Sequence, residues 1–158
     1  MKSRLRSQSA RNRIKGSRFL EKFRGNGASL VMALSNDCDF MQKVVLDTNA
    51  LLMPFECSFN IDLELKRLIG DCEVHVPSPV IGELKRSRNK YAKAALELAR
   101  KYKIDSTDQQ GDDAVIELAS KLNAFVVTND KNLISKLSAR GIKVIVLRSK
   151  NHLDFYND

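Results

Sequence analysis

From Lys43 onward, short runs rich in β-branched residues alternate with segments in which apolar residues recur every three or four positions. The runs have the length of buried strands, and the periodic segments have the pattern of amphipathic helices. Strands are predicted at residues 44–46, 73–76, 125–128 and 142–147. Helices are predicted at residues 61–69, 79–86, 92–102, 112–122 and 131–140. The predicted order is β-α-β-α-α-α-β-α-β.

This alternation indicates the fold class. Strands joined through helices require right-handed crossovers, which place helices on both faces of a parallel sheet. The sequence therefore predicts an α/β protein, a three-layer α/β/α sandwich with a central parallel sheet. In such sheets ligands bind beyond the carboxyl ends of the strands. We therefore expect functional residues just after the strands at 44–46 and 125–128.

Capping signals predict where the helices begin and end. Asn60 is expected to cap the helix at 61–69, and Gly70 is expected to end it. Ser78 is expected to be the N-cap of the next helix, with Pro79 at the first helical position, where a missing N–H costs nothing. Glu83 then lies one turn inside that helix.

Charge is unevenly distributed along the 158 residues. Residues 1–42 contain nine Lys or Arg and three Asp or Glu, so they carry six of the eight net positive charges. A basic N-terminal extension at 1–42 and one domain at 43–158 are predicted. The extension can attract RNA by counterion release, or be a solvated, disordered tail. It also has the composition of a transit peptide, and it is not native if the natural start is Met41.

Several classes of protein are disfavoured. Cys38, Cys57 and Cys72 have no CxxC or CxxH spacing, which argues against disulfides and structural zinc and favours a reducing, cytoplasmic compartment. The longest apolar runs, such as residues 28–34, are shorter than the roughly 20 residues that span a bilayer, so no membrane protein is predicted. The two histidines are too few for a catalytic or zinc cluster, and His75 is expected to pack at a strand end. A nucleotide-binding domain is disfavoured because no GxGxxG or GxxxxGK[ST] loop is present.

Four acidic residues are expected at one edge of the sheet. Asp47 ends the first strand, Glu83 lies early in a helix, Asp112 opens a helix, and Asp130 follows the strand at 125–128. Taken singly, the last three have structural explanations as a solvated side chain, a favourable helix charge or a cap. Asp47 does not, because a carboxylate that closes an apolar strand is costly outside a polar crevice. Four adjacent carboxylates repel one another unless a hard cation neutralises them, so Mg²⁺ or Mn²⁺ is predicted.

Four segments of the sequence resemble the motifs of PIN-domain nucleases. They read VVLDTNALL, PSPVIGELKR, DDAVIELA and VVTND, in the order of the family, and the resemblance covers residues 43–147. It implies an α/β/α fold, a divalent-metal site and cleavage of single-stranded or structured RNA.

The resemblance also assigns site residues. It makes Asp47 the first acid, Glu83 the second, Asp112 the third, and Asp130 the polar position of the fourth motif. The doublet leaves Asp113 as a candidate for a supporting role beside the cluster. The accessory polar positions of the family match Thr48, Asn49 and Thr128.

The implied activity is metal-dependent endoribonuclease cleavage, in which Asp47 binds the metal most directly and Asp130 holds a second ion or orients water. The segments LLMPFE and GIKVIVLRSKNHL resemble PIN proteins of ribosomal RNA processing more than VapC toxins. A VapC-type toxin and a non-catalytic RNA-binding scaffold are the alternatives. Expected partners are RNA, a ribosome-assembly or antitoxin protein, and a second copy in a homodimer. Basic side chains that can hold RNA, or form an ordinary charged surface, are Lys85, Arg86, Arg88, Lys90, Lys93, Lys131, Arg148 and Lys150.

Overall fold

The computed structural model describes residues 41–157. The basic extension predicted at residues 1–42 therefore lies outside the described residues, except for Met41 and Gln42. The strands are β1 Gln42–Leu46, β2 Cys72–Pro77, β3 Lys103–Asp105, β4 Phe125–Val127, β5 Val144–Arg148 and β6 His152–Phe155. The helices are α1 Thr48–Cys57, α2 Ile61–Ile69, α3 Ser78–Arg86, α4 Ala92–Ala99, α5 Gly111–Leu122 and α6 Lys131–Ala139.

The six strands form one sheet in the order β3-β2-β1-β4-β5-β6. All neighbouring pairs are parallel except β5 and β6, which pair antiparallel. The central strands β1 and β4 pair Val44 with Phe125 and Leu46 with Val127, so they end at the same level. The residues that follow both strands therefore lie at one edge of the sheet.

Helices cover both faces of the sheet, and the side chains of β1 show the division. Val44 and Leu46 belong to a buried cluster with α1, α2, α3 and α4, whereas Val45 belongs to a second cluster with α5 and α6. Alternate side chains of a strand point to opposite faces, so a strand with helices on both sides is apolar throughout. The predicted three-layer α/β/α sandwich is confirmed.

The structure corrects several predicted elements. Helix α1 was not expected, and neither were the strands β3 and β6, of which β6 makes the sheet mixed rather than wholly parallel. The helix predicted at 92–102 ends at Ala99, and β3 follows. Asn60 and Gly70 cap α2 as predicted, but Ser78 does not cap α3. Pro77, in extended conformation, is the residue before that helix, and Ser78 is already helical.

One outer strand is covered by side chains. The backbone N–H of Leu153 in β6 donates to Glu64 Oε1 at 2.9 Å, and its carbonyl accepts from Arg67 Nη2 at 2.6 Å. Arg67 and Glu64, both on α2, also form an ion pair at 3.0 Å. Helix α2 thus occupies the backbone groups of Leu153 that point away from β5.

Within residues 41–157, no helix has both the length and the apolar character needed to cross a membrane.

Candidate active site

The four acidic residues singled out from the sequence line one cleft of about 290 Å³ at the carboxyl ends of β1 and β4. Asp47 directly follows β1, and Asp130 is the N-cap of α6. Helix α3 contributes Glu83 from its middle, and α5 contributes Asp112 from its first turn. The remaining lining residues are Thr48, Asn49, Leu52, Val80, Gly111 and Val115.

Asp47 is buried, with 7% of its surface exposed, and two groups hold its carboxylate. Oδ1 accepts from the backbone N–H of Ala50 at 2.7 Å, because Asp47 is also the N-cap of α1. Oδ2 accepts from the Thr128 hydroxyl at 2.7 Å. Burial, with a smaller contribution from the charges of Asp130 and Asp112, raises the pKa of Asp47 from 3.8 to about 7, against the effect of these hydrogen bonds. The two neighbouring carboxylates thus add repulsion to the cost of burying the Asp47 charge.

The accessory residues position the acids and the loop between β4 and α6. The Thr48 hydroxyl donates to Glu83 Oε2 at 2.5 Å, which ties α1 to α3. The Thr128 hydroxyl, besides donating to Asp47, accepts from the backbone N–H of Asp130 at 3.0 Å. Asn49 Oδ1 accepts from the backbone N–H that follows Thr128 at 3.1 Å. Each of these side chains thus makes a contact that joins two segments of the cleft.

Asp112 and Asp113 point to different places. Asp112 lines the cleft and accepts from Lys136 Nζ at 3.2 Å, whereas Asp113 is exposed and borders another depression, beside Glu117 and Arg140. Their adjacent positions on one helix turn explain the difference, because successive helical residues point about 100° apart. The structure therefore brings Asp112, and not Asp113, to the cleft.

Two residues of the site were missed by the sequence analysis. Lys136 gave no signal, because one exposed lysine on a helix looks like an ordinary surface residue. Asn129 lies inside the VVTND motif but received no role. Its side chain accepts from the backbone N–H of Leu147 at 2.8 Å and donates to the Leu147 carbonyl at 3.3 Å. These bonds hold the loop after β4 against β5.

As the side chains are placed, no three His, Cys, Asp or Glu residues among positions 41–157 form a ready metal-binding group. Each acid is engaged by the protein: Asp47 by Thr128, Glu83 by Thr48, Asp112 by Lys136, and Asp130 by backbone N–H groups of α6. The donor set nevertheless fits a hard divalent cation, because all four side chains are carboxylates. The convergence of these four carboxylates on one cleft is the observation that supports this fit.

A family profile described as PIN like domain matches residues 44–150. The chain belongs to the PIN-like domain family. This PIN-like protein is similar to Ribonuclease VapC4 of Methanocaldococcus jannaschii, with 34% identity over 128 residues that cover 73% of this chain and 98% of the relative. It is also similar to Ribonuclease VapC9 of Archaeoglobus fulgidus, with 31% identity over 111 residues that cover 66% of this chain and 82% of that relative.

Solved structures with the same fold include the PIN domain endonuclease Utp24, with a TM-score of 0.62 and 18% identity over 72% of this chain and 90% of that one. A domain of a functionally unknown protein from Methanocaldococcus jannaschii has a TM-score of 0.52 and 18% identity, over 68% of this chain and 92% of that one. At these identities the likeness concerns the fold. The family profile and the relatives confirm the predicted family. The preference for ribosomal RNA processing over a VapC role stays a prediction.

Proposed function

We propose that this PIN-like domain is an endoribonuclease that hydrolyses RNA phosphodiester bonds with Mg²⁺ or Mn²⁺. The observation that carries the proposal is the single cleft lined by Asp47, Glu83, Asp112 and Asp130. The names of the two relatives, both ribonucleases, support the reaction class. The four carboxylates in one cleft support the choice of cation.

The ligands in this proposal are Asp47, Glu83, Asp112 and Asp130. When bound, the divalent ion lowers the pKa of water and stabilises negative charge on the phosphate. The protein contributes orientation: Thr128 and the N-terminus of α1 hold Asp47, and Thr48 holds Glu83. Fixed carboxylates need less reorganisation when a cation and a phosphate enter, which is how a supporting shell contributes to catalysis.

Cleavage of labelled single-stranded and structured RNA tests the proposal. We expect cleavage with Mn²⁺ or Mg²⁺, none with EDTA, and a loss of at least about 100-fold in Asp47→Asn, the scale seen when a key stabilising group is removed. Asp113→Asn is the matched control, because it removes an adjacent exposed acid that lies outside the cleft. If Asp47→Asn folds and cleaves as fast as the parent protein, the assignment is refuted. RNA binding without cleavage by the parent would favour the scaffold instead.

As the cellular role we first propose processing of ribosomal RNA in the cytoplasm. This proposal is supported by the segments LLMPFE and GIKVIVLRSKNHL, which resemble PIN proteins of ribosomal RNA processing. A toxin ribonuclease is the second candidate, because both relatives carry the name Ribonuclease VapC. Expression in a heterologous host distinguishes the two. Growth arrest that Asp47→Asn abolishes would favour the toxin, whereas normal growth with cleavage of a ribosomal RNA precursor would favour processing. Size measurement in solution tests the predicted homodimer.

A further inference from the structure

A dense group of positive charges follows the cleft along the chain. Five cations lie within residues 85–93, hereafter the basic segment, and no acidic residue occurs between Glu83 and Glu97. All five cations are exposed. Within residues 41–157 none of them forms an ion pair, although seven other Lys or Arg side chains do. The five are Lys85, Arg86, Arg88, Lys90 and Lys93.

The basic segment begins two residues after Glu83, which lines the cleft. Val80 and Glu83 of α3 line the cleft, and Arg86 lies three residues further, on the same helical face. The guanidinium group of Arg86 folds back along the helix over Gly82. A Cβ built at Gly82 would lie 3.2 Å from Arg86 Nη1, so this position without a side chain leaves room for the guanidinium group. Arg86 thus places its guanidinium group along helix α3, and Glu83 of the cleft lies within one turn of Arg86 on that helix.

The rest of the segment is held in a defined conformation. Asn89 accepts from the backbone N–H of Tyr91 at 2.8 Å and donates to Glu56 Oε1 at 3.0 Å, which ties the loop to α1. Tyr91 stacks on Phe55 with ring centroids 6.5 Å apart, and Lys90 Nζ lies 4.9 Å from the centre of the Tyr91 ring. Glu56 is the acid that contacts this loop. A loop ordered in this way loses less conformational entropy when its cations bind a ligand.

We propose that the basic segment binds the phosphate backbone of single-stranded RNA and leads that strand into the acidic cleft. The inference rests on the proposed function and names the substrate-binding surface of the same site. Unpaired cations suit this partner because neutralising phosphates releases condensed counterions, whereas a paired cation must first give up its acid. Two of the five are arginines, whose planar guanidinium groups match phosphate oxygens. An acidic protein segment is the competing occupant, and the experiment excludes or selects it.

The test compares two double variants of the full-length protein. Lys90→Gln/Lys93→Gln removes two charges from the basic segment. Lys121→Gln/Lys143→Gln removes two exposed charges at the edge where β4 and β5 begin, opposite the cleft; neither lysine has an ion pair within the described residues. Fluorescence anisotropy with a labelled single-stranded uridine oligomer, in EDTA to prevent cleavage, gives the affinity across a salt series.

For the basic-segment variant we expect the slope of log K against log salt to become shallower by about 1.4, and binding at 0.1 M salt to weaken about 25-fold. The control is expected to change neither quantity. Equal effects of the two variants would overturn the proposal, and no effect in either would overturn it in favour of an acidic protein segment. The outcome is independent of the nuclease assignment, because binding is read without turnover. A protein that binds through this segment but never cleaves RNA with metal would refute only the nuclease.

Discussion

Replacing Asp47 by asparagine is expected to stabilise the metal-free protein at pH 8 relative to the parent. Burial and the charges of Asp130 and Asp112 raise the pKa of Asp47 from 3.8 to about 7. A carboxyl group with a raised pKa in the folded state favours folding while it is protonated, and this contribution is lost as the pH rises from 3.8 through 7. At pH 8 the folded protein therefore contains a buried charge that water solvates freely in the unfolded chain.

The magnitude follows from the size of the pKa shift. About three pKa units correspond to about 4 kcal/mol in the free energy of unfolding. Between pH 5 and pH 8, the parent should lose about 2.5 kcal/mol of stability from this group, and the Asp47→Asn variant should lose none. The variant also loses the hydrogen bond donated by Thr128, at a cost of about 1 kcal/mol at every pH. Between pH 5 and pH 8, the free energy of unfolding of the variant relative to that of the parent should therefore rise by about 2.5 kcal/mol.

Urea unfolding in EDTA at pH 5 and pH 8, followed by circular dichroism, measures this shift. Asp113→Asn controls for the loss of an acid, because Asp113 is exposed and lies outside the cleft. An Asp47→Asn variant that differs from the parent by the same amount at both pH values would refute the reasoning. Replacing EDTA with Mn²⁺ at pH 8 is expected to raise the unfolding midpoint of the parent and not of the variant, because a ligand that binds only the folded state stabilises it.

Three further changes test other contacts. Lys136→Met is expected to strengthen Mn²⁺ binding several-fold in calorimetric titration, because it removes the cation 3.2 Å from Asp112, with little effect on stability since the pair is half exposed. Thr128→Val is expected to cost about 2 kcal/mol in urea unfolding, because it leaves Oδ2 of buried Asp47 without a donor. His75→Leu is expected to speed hydrogen exchange of β3 amides, because His75 is buried and contacts a carboxylate of that strand at 2.5 Å.

Each of the three has its own control. Lys121→Met, at the far edge of the sheet, should leave Mn²⁺ affinity unchanged, and equal affinity of Lys136→Met and the parent would contradict the first prediction. Thr128→Ser keeps the hydroxyl and should recover most of the stability that Thr128→Val loses. Unchanged exchange of the β3 amides in His75→Leu would show that the carboxylate contact does not hold the strand.

The sequence predicted the three layers because their elements carry regular apolar patterns, and it missed elements that do not. Helix α1 contains Pro54, which removes one backbone donor and usually disfavours a helix interior. It forms because Leu51 and Met53 are buried and Asp47 caps its start. Strand β3 has three residues, mostly exposed, and β6 follows two residues with positive φ, Ser149 and Lys150. Neither strand has a pattern long enough to be recognised.

The candidate site was predicted as far as it depends on strand ends. Asp47 and Asp130 were expected at one edge because β1 and β4 were expected to be parallel, and the structure brings both to one cleft with Glu83 and Asp112. Side-chain partners could not be predicted, because they depend on the rotation and packing of helices. Lys136 on α6 pairs with Asp112 on α5, and these two residues are 24 positions apart in the sequence.

The covered edge at β6 affects how two copies of this protein can associate. An outer strand with free backbone groups is a template for strand addition, which joins two sheets or starts aggregation. Here Glu64 and Arg67 occupy the outward backbone groups of Leu153, and the opposite outer strand, β3, has only three residues. A homodimer of this protein should therefore form through helical surfaces rather than by a continuous intermolecular sheet.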